Sequence, residues 1–213
     1  MNSNYKFIEM QVYAYFKSVK TASHGIKTFR YNTEFRSIYG SGNPIGLIVM
    51  LNPGSAEPES AEITKKLKTE EFETNKPVLV NTDKTIERVM RLIYTLYENN
   101  NRELPKEFTI HIENLFNLKE KDNVTAKKLV KKISEHNDLM FLERQLEEKY
   151  DFVFFAWGNT KINIERQAFL NNKFNNEAIC VKTTNVNYPV HPLYMNTEYF
   201  IKASKGKLFS KVY

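Results

Sequence analysis

The sequence predicts an α/β fold of three layers, α/β/α, around a central, mostly parallel four-stranded sheet. Three observations predict it. Four short apolar segments are bounded by Gly, Pro, Asn or Asp, and three of them are rich in β-branched or aromatic residues, so they read as strands. Helical periodicity fills the intervals between them. The strands are apolar almost throughout rather than alternating, the pattern of a parallel sheet covered on both faces.

The first predicted strand is Ile45–Leu51. The charged stretch Glu57–Lys76 follows, with few core candidates; it reads as a solvated helix plus loop in preference to a lid over a neighbouring site. A helix is expected over Asp83–Asn99, because Ile86, Val89, Met90, Ile93 and Tyr97 repeat at helical spacing behind a natural N-cap, Asp83 or Thr82. Phe108–Glu113 is the second strand. A helical region over about Thr125–Lys149 is expected to break near His136-Asn137. Phe152–Trp157 is the third strand, a helix is expected over Lys161–Phe174, and Ala178–Thr183 is the fourth strand.

The 213 residues make a single domain, with a motif-bearing core over about residues 30–200. Charged residues at 26% and hydrophobic residues at 41% exclude a disordered or fibrous chain. The net charge of +6 suits a nucleic-acid partner and equally an ordinary basic surface. Met1-Asn-Ser-Asn-Tyr-Lys6 has no apolar stretch behind a charged start, so no signal peptide is expected. No apolar run approaches the roughly 20 residues of a membrane span. One cysteine, Cys180, excludes an intrachain disulfide and a Cys-based zinc site, and its place in a strand reads as packing. The expectation is a soluble, cytoplasmic monomer with no cofactor and no metal.

Ligands of open α/β sheets bind beyond the carboxyl ends of the strands. The residues after the four predicted strands are Asn52-Pro53-Gly54-Ser55-Ala56, Asn114-Leu115-Phe116-Asn117, Gly158-Asn159-Thr160 and, past a short loop, Tyr188–Leu193. If the strands are parallel neighbours, these motifs meet on one edge. They supply amides, hydroxyls and one imidazole, with no carboxylate pair and no thiol–His couple. GxxxxGK[ST], GxGxxG and GxSxG are all missing, which excludes a P-loop, a dinucleotide fingerprint and a nucleophile elbow. Amides both donate and accept, which suits reading a nucleobase edge.

These motifs resemble the uracil-DNA glycosylase superfamily, in order along most of the chain. Leu51-Asn52-Pro53-Gly54 is similar to the water-activating N-P-G motif of the mismatch-specific branch, Glu113-Asn114-Leu115 to the base-recognising strand end, Phe154–Asn159 to the strand-then-W-G-S segment, and His191-Pro192-Leu193 to H-P-S. The chain resembles still more closely a bacterial and phage family of unknown function. That family is marked by L-N-P-x-x-A (Leu51–Ala56), D-x-T (Asp83–Thr85), N-L-F (Asn114–Phe116), W-G (Trp157-Gly158) and H-P-L (His191–Leu193).

The resemblance implies a glycosylase-like fold that flips a nucleotide out of DNA and hydrolyses its N-glycosidic bond. Asn52 or Asp83 would place the water, and His191 would stabilise charge on the departing base or hold a phosphate. Asn114, Gly54, Ser55 and Phe116 are the base-binding candidates; Gly54 replaces a bulky aromatic and leaves room for a 5-modified pyrimidine. Asn159, Thr160, Leu193, Tyr194, Lys202 and Lys205 are the DNA-binding candidates, with Leu193, Tyr194 and Met195 as wedges into the duplex. Two family hydroxyls are replaced by Leu193 and Asn159, for which Thr160 and Thr184 are the candidate substitutes. Lys182, Lys202, Lys205, Lys207 and Lys211 near the His191 end favour DNA. The alternatives are a catalytically silent nucleic-acid or nucleotide-binding module, and a hydrolase or transferase of free nucleosides or nucleotides.

Overall fold

The computed structural model describes residues 10–174, 177–182 and 188–208; Thr183, Thr184 and Lys211 lie outside them. The chain enters through an antiparallel hairpin, β1 (Met10–Thr21) and β2 (Gly25–Ser37). Val12, Ala14 and Phe16 of β1 are buried while Tyr13, Tyr15 and Lys17 between them are half-exposed, the period-two pattern of a strand with one wet face. β3 (Pro44–Met50) follows, then α1 (Ala61–Thr69), β4 (Phe72–Glu73) and β5 (Val78–Leu79). The charged stretch is thus a helix capped by Ser60, followed by two short strands that pair with β1; Leu67 and Thr74 anchor it in the interior.

α2 (Lys84–Asn99) buries Ile86, Val89, Met90, Ile93 and Tyr97, and the Asp83 carboxylate caps it by accepting from the Thr85 and Ile86 amides at 3.0 and 2.9 Å. β6 (Thr109–Asn114), α3 (Asn123–Val130), α4 (Asn137–Met140), β7 (Phe152–Phe155), α5 (Ile164–Phe174), β8 (Ala178–Cys180) and α6 (Thr197–Ser204) complete the order. The helical region expected to reach Lys149 is shorter. It consists of α3, a 3-10 turn at Ser134–His136 and α4, and the next eleven residues, 141–151, are irregular, with Arg144 bound to Glu113 at 2.9 Å and to Glu34 at 3.0 Å.

The sheet is the main correction to the expected fold. It has eight strands among the described residues, not four, in the order β4-β1-β2-β6-β3-β7-β8 with β5 also on β1. The four expected strands are β3, β6, β7 and β8; β3 pairs in parallel with β6 and β7, and β7 with β8. The hairpin adds antiparallel pairing to one side, through β2 and β6. The fold is therefore mixed α/β around an open sheet of mixed strand direction. Successive β3 residues face opposite ways: Ile48 and Met50 join a cluster with α2 and α6, and Leu47 and Val49 one with α3, α4 and α5. Among the described residues no helix is long and apolar enough to cross a membrane.

Candidate functional site

A cleft of about 440 Å³ opens at the carboxyl ends of β3 and β6. Its floor is apolar, with Phe35, Met50, Ile86 and Ile112, and its rim is polar. Asn52, Asp83 and His191 all line it, although they lie far apart in sequence. Parallel pairing puts Asn52 at this edge; capping of α2 puts Asp83 there; the stiff Val190–Pro192 loop brings His191.

Asn52 is 6% exposed, and its side-chain amide donates to the Glu120 carbonyl at 2.9 Å. That bond fixes the carboxamide and leaves its oxygen as an acceptor. Asp83 uses Oδ1 for the helix cap, while Oδ2 faces Gly54: a Cβ built on Gly54 would stand 3.3 Å from it. Gly54 also has φ +69°, so the position favours glycine twice over. The missing side chain therefore makes way for a carboxylate. His191 Nδ1 accepts from the Leu193 amide at 3.4 Å, which leaves the ring proton on Nε2. Burial pushes the imidazole below its ordinary pKa, with Asp83 pulling the other way, so the ring is neutral at pH 7.

The structure adds residues that the motifs did not mark. Arg30 of β2 lines the cleft, is 3% exposed, and donates to the Pro53 and Ala56 carbonyls of the loop that follows β3. Burial lowers its pKa to about 10, opposed by Asp83, so it is cationic at neutral pH. Its Nε and the Thr33 hydroxyl are buried without a hydrogen-bond partner among the described residues. Lys84, Lys121 and Asn123 complete the polar rim, together with Thr85, which the D-x-T motif had marked.

The other candidates divide. Ser55, Leu193 and Tyr194 line the cleft, and the two apolar side chains stand out from it, Tyr194 82% exposed. Met195 is buried in the core and is no wedge. Asn114 ends β6 on the same face as the floor residue Ile112, but it is not among the residues that line the cleft. Phe116 is fully buried in the cluster with α3 and α5, so its ring offers a ligand no surface. Asn159 and Thr160 stand in an adjoining groove, and Trp157 forms the floor of a hollow between that groove and the cleft. Lys202 and Lys205 are exposed on and just after α6 and line none of these three recesses. Among the described residues no three His, Cys, Asp or Glu side chains gather as a metal site.

Neither a curated protein nor a solved structure matches the chain. A family model described as "Protein of unknown function (DUF1643)" matches residues 35–193, and the chain belongs to that family.

Proposed function

We propose that the protein is a DNA glycosylase-like hydrolase that cleaves the N-glycosidic bond of a flipped pyrimidine. The observation that carries this reading is the meeting of Asn52, Asp83 and His191 on one cleft large enough for a nucleoside. The ordered motif resemblance supports it. The apolar floor suits a base stripped of water, and Asn114 at the end of β6 suits recognition of its edge.

In this reading Asn52 orients a water with its free carboxamide oxygen, beside Asp83. The bond from C1′ of the sugar to the base nitrogen breaks and its electron pair leaves with the base. The water oxygen bonds to C1′, its proton passes to Asp83, and His191 donates its Nε2 proton in a hydrogen bond to the departing base. Asp83 gives up the proton it took and the departing base anion takes one from solvent, so the net products are a free base and an abasic sugar. A neutral imidazole suits this role, because it stabilises developing charge without a salt bridge to substrate phosphate. A 5-modified pyrimidine is the expected base, since Gly54 places no side chain over it.

The experiment is incubation of the protein with duplexes carrying uracil, mismatched or 5-modified pyrimidines, followed by alkaline cleavage of abasic sites. A product with one of these bases is expected, and it should vanish in Asp83→Ala. No product with any base, together with salt-sensitive binding, would replace the hydrolase with a binding module on the same fold.

A further inference from the structure

Lys127, Lys128 and Lys131 project from α3 and its C-terminal cap, and Lys161 faces them from the loop before α5. Together they line a groove of about 390 Å³ whose remaining lining is Val124, Asn159, Thr160 and Ile162, with no carboxylate. None of the four lysines takes part in the ion pairs of the described residues, and Asp122 is the carboxylate whose field reaches Lys128. Lys127 holds the groove's shape by donating to the Asn159 carbonyl at 2.7 Å. Lys127 and Lys131 are four residues apart, a like-charge pair that costs a short helix a few tenths of a kcal/mol. An anion in the groove would relieve that repulsion.

The groove is not isolated. It shares Lys127 and Asn159 with the hollow over Trp157, and that hollow shares Asn123, His191 and Tyr194 with the Asn52–Asp83 cleft. The three recesses therefore adjoin in a row along shared walls. At one end stand cations, in the middle Trp157, Tyr188 and the exposed Tyr194, and at the other end the candidate catalytic residues. Lysines track phosphates, and aromatic side chains accept stacked bases.

We infer that the α3 groove holds the sugar-phosphate backbone of a DNA strand whose neighbouring nucleotide enters the Asn52–Asp83 cleft. The inference rests on the nucleic-acid part of the proposed function and not on hydrolysis. It moves the expected DNA contact from Lys202 and Lys205 to the opposite face of the sheet, where α3 packs.

The test is fluorescence anisotropy with a labelled DNA duplex of about 20 base pairs, titrated at several NaCl concentrations. Each phosphate contact contributes about 0.9 to the slope of log K against log salt. Changing Lys127, Lys128, Lys131 and Lys161 together to Gln should therefore lower that slope by about 3.6 and weaken binding at least ten-fold. Replacement of all four by Arg should restore both, which separates lost charge from lost folding. An unchanged slope in the Gln variant overturns the inference, as does a fall seen instead in Lys202→Gln/Lys205→Gln. Displacement of the duplex by poly-glutamate at equal charge concentration also overturns it, in favour of an acidic protein partner. If the Gln variant loses binding while the parent forms no abasic product, the groove stands and the hydrolase reading fails.

Discussion

Asp83→Asn separates two tasks that one carboxylate performs. Asn caps helices about as well as Asp, and its carboxamide oxygen can accept from the Thr85 and Ile86 amides as Oδ1 does. The cap should therefore survive while the charge is lost. Arg30 is only 3% exposed, and Asp83 is the carboxylate that holds up its pKa. Without it the guanidinium keeps the Pro53 and Ala56 carbonyls as acceptors but loses the nearby carboxylate, which attracts it without a direct ion pair. Stranding a buried charge entirely costs about 3–5 kcal/mol; the two carbonyls and the half-exposed position of Asp83 reduce that to about 1–3 kcal/mol. Asp83→Ala should cost about 1 kcal/mol more, because it also removes the cap. Urea denaturation of the two variants measures both quantities. The same substitution should move the His191 titration, followed by NMR, to lower pH, since Asp83 pulls that pKa upward. On the proposed mechanism, in which Asp83 accepts the water's proton, the substitution should slow base release by about 10²–10⁴-fold. Stability unchanged to within about 0.5 kcal/mol, with the His191 titration unmoved, would refute the charge coupling.

Gly46→Ala should destabilise by about 3 kcal/mol, because a Cβ there would lie 2.2 Å from the fully buried Phe152 ring; Phe152→Leu in the same chain should recover part of the loss, and a denaturation midpoint equal to the parent's would contradict the packing. His111 is buried and its pKa is lowered to about 4, so the unfolded chain takes up its proton first as pH falls. Its contribution is complete above about pH 6.5 and is lost toward pH 4 at up to about 1.4 kcal/mol per unit; His111→Gln should flatten that slope, and an identical slope in both proteins would remove the assignment. Leu193→Gly and Tyr194→Gly should reduce base release from fully paired duplexes more than from single strands, because the lost side chains are exposed at the cleft rim. An equal reduction on both substrates would rule out a wedge.

What was readable in advance depended on how local its signal is. α2 carried both a cap and a five-residue apolar stripe, and its limits match within a residue. The four parallel strands were readable because strands buried on both faces are apolar without interruption. β1 was missed because Tyr13, Tyr15 and Lys17 interrupt its apolar set, though the strict alternation was there to find. Arg30 had no mark at all, since nothing local distinguishes an arginine sunk behind a loop from one at the surface. Asn114 and Phe116 looked equivalent as neighbours in one motif, yet the turn after β6 sends the phenyl ring into the core. Position in sequence and position in space also diverge for the charges. Lys202 and Lys205 are close to His191 in sequence but sit on and beside a helix packed against α2, whereas Lys127 of α3 is remote in sequence and lines the same hollow as His191.

The direction of β2 sets the size of the working unit. Because β2 runs against β6, with Thr33 opposite Ile112, its earlier residues extend past the carboxyl ends of the parallel strands. Arg30 therefore reaches the cleft from upstream of the span that matches the family, 35–193. A fragment trimmed to that span would keep Asn52, Asp83 and His191. It would lose the guanidinium that ties down the Pro53–Ala56 loop, and β2 would retain only two of its four pairings with β6. The portable module is thus larger than the matched segment, because the buried cation behind the loop comes from outside it.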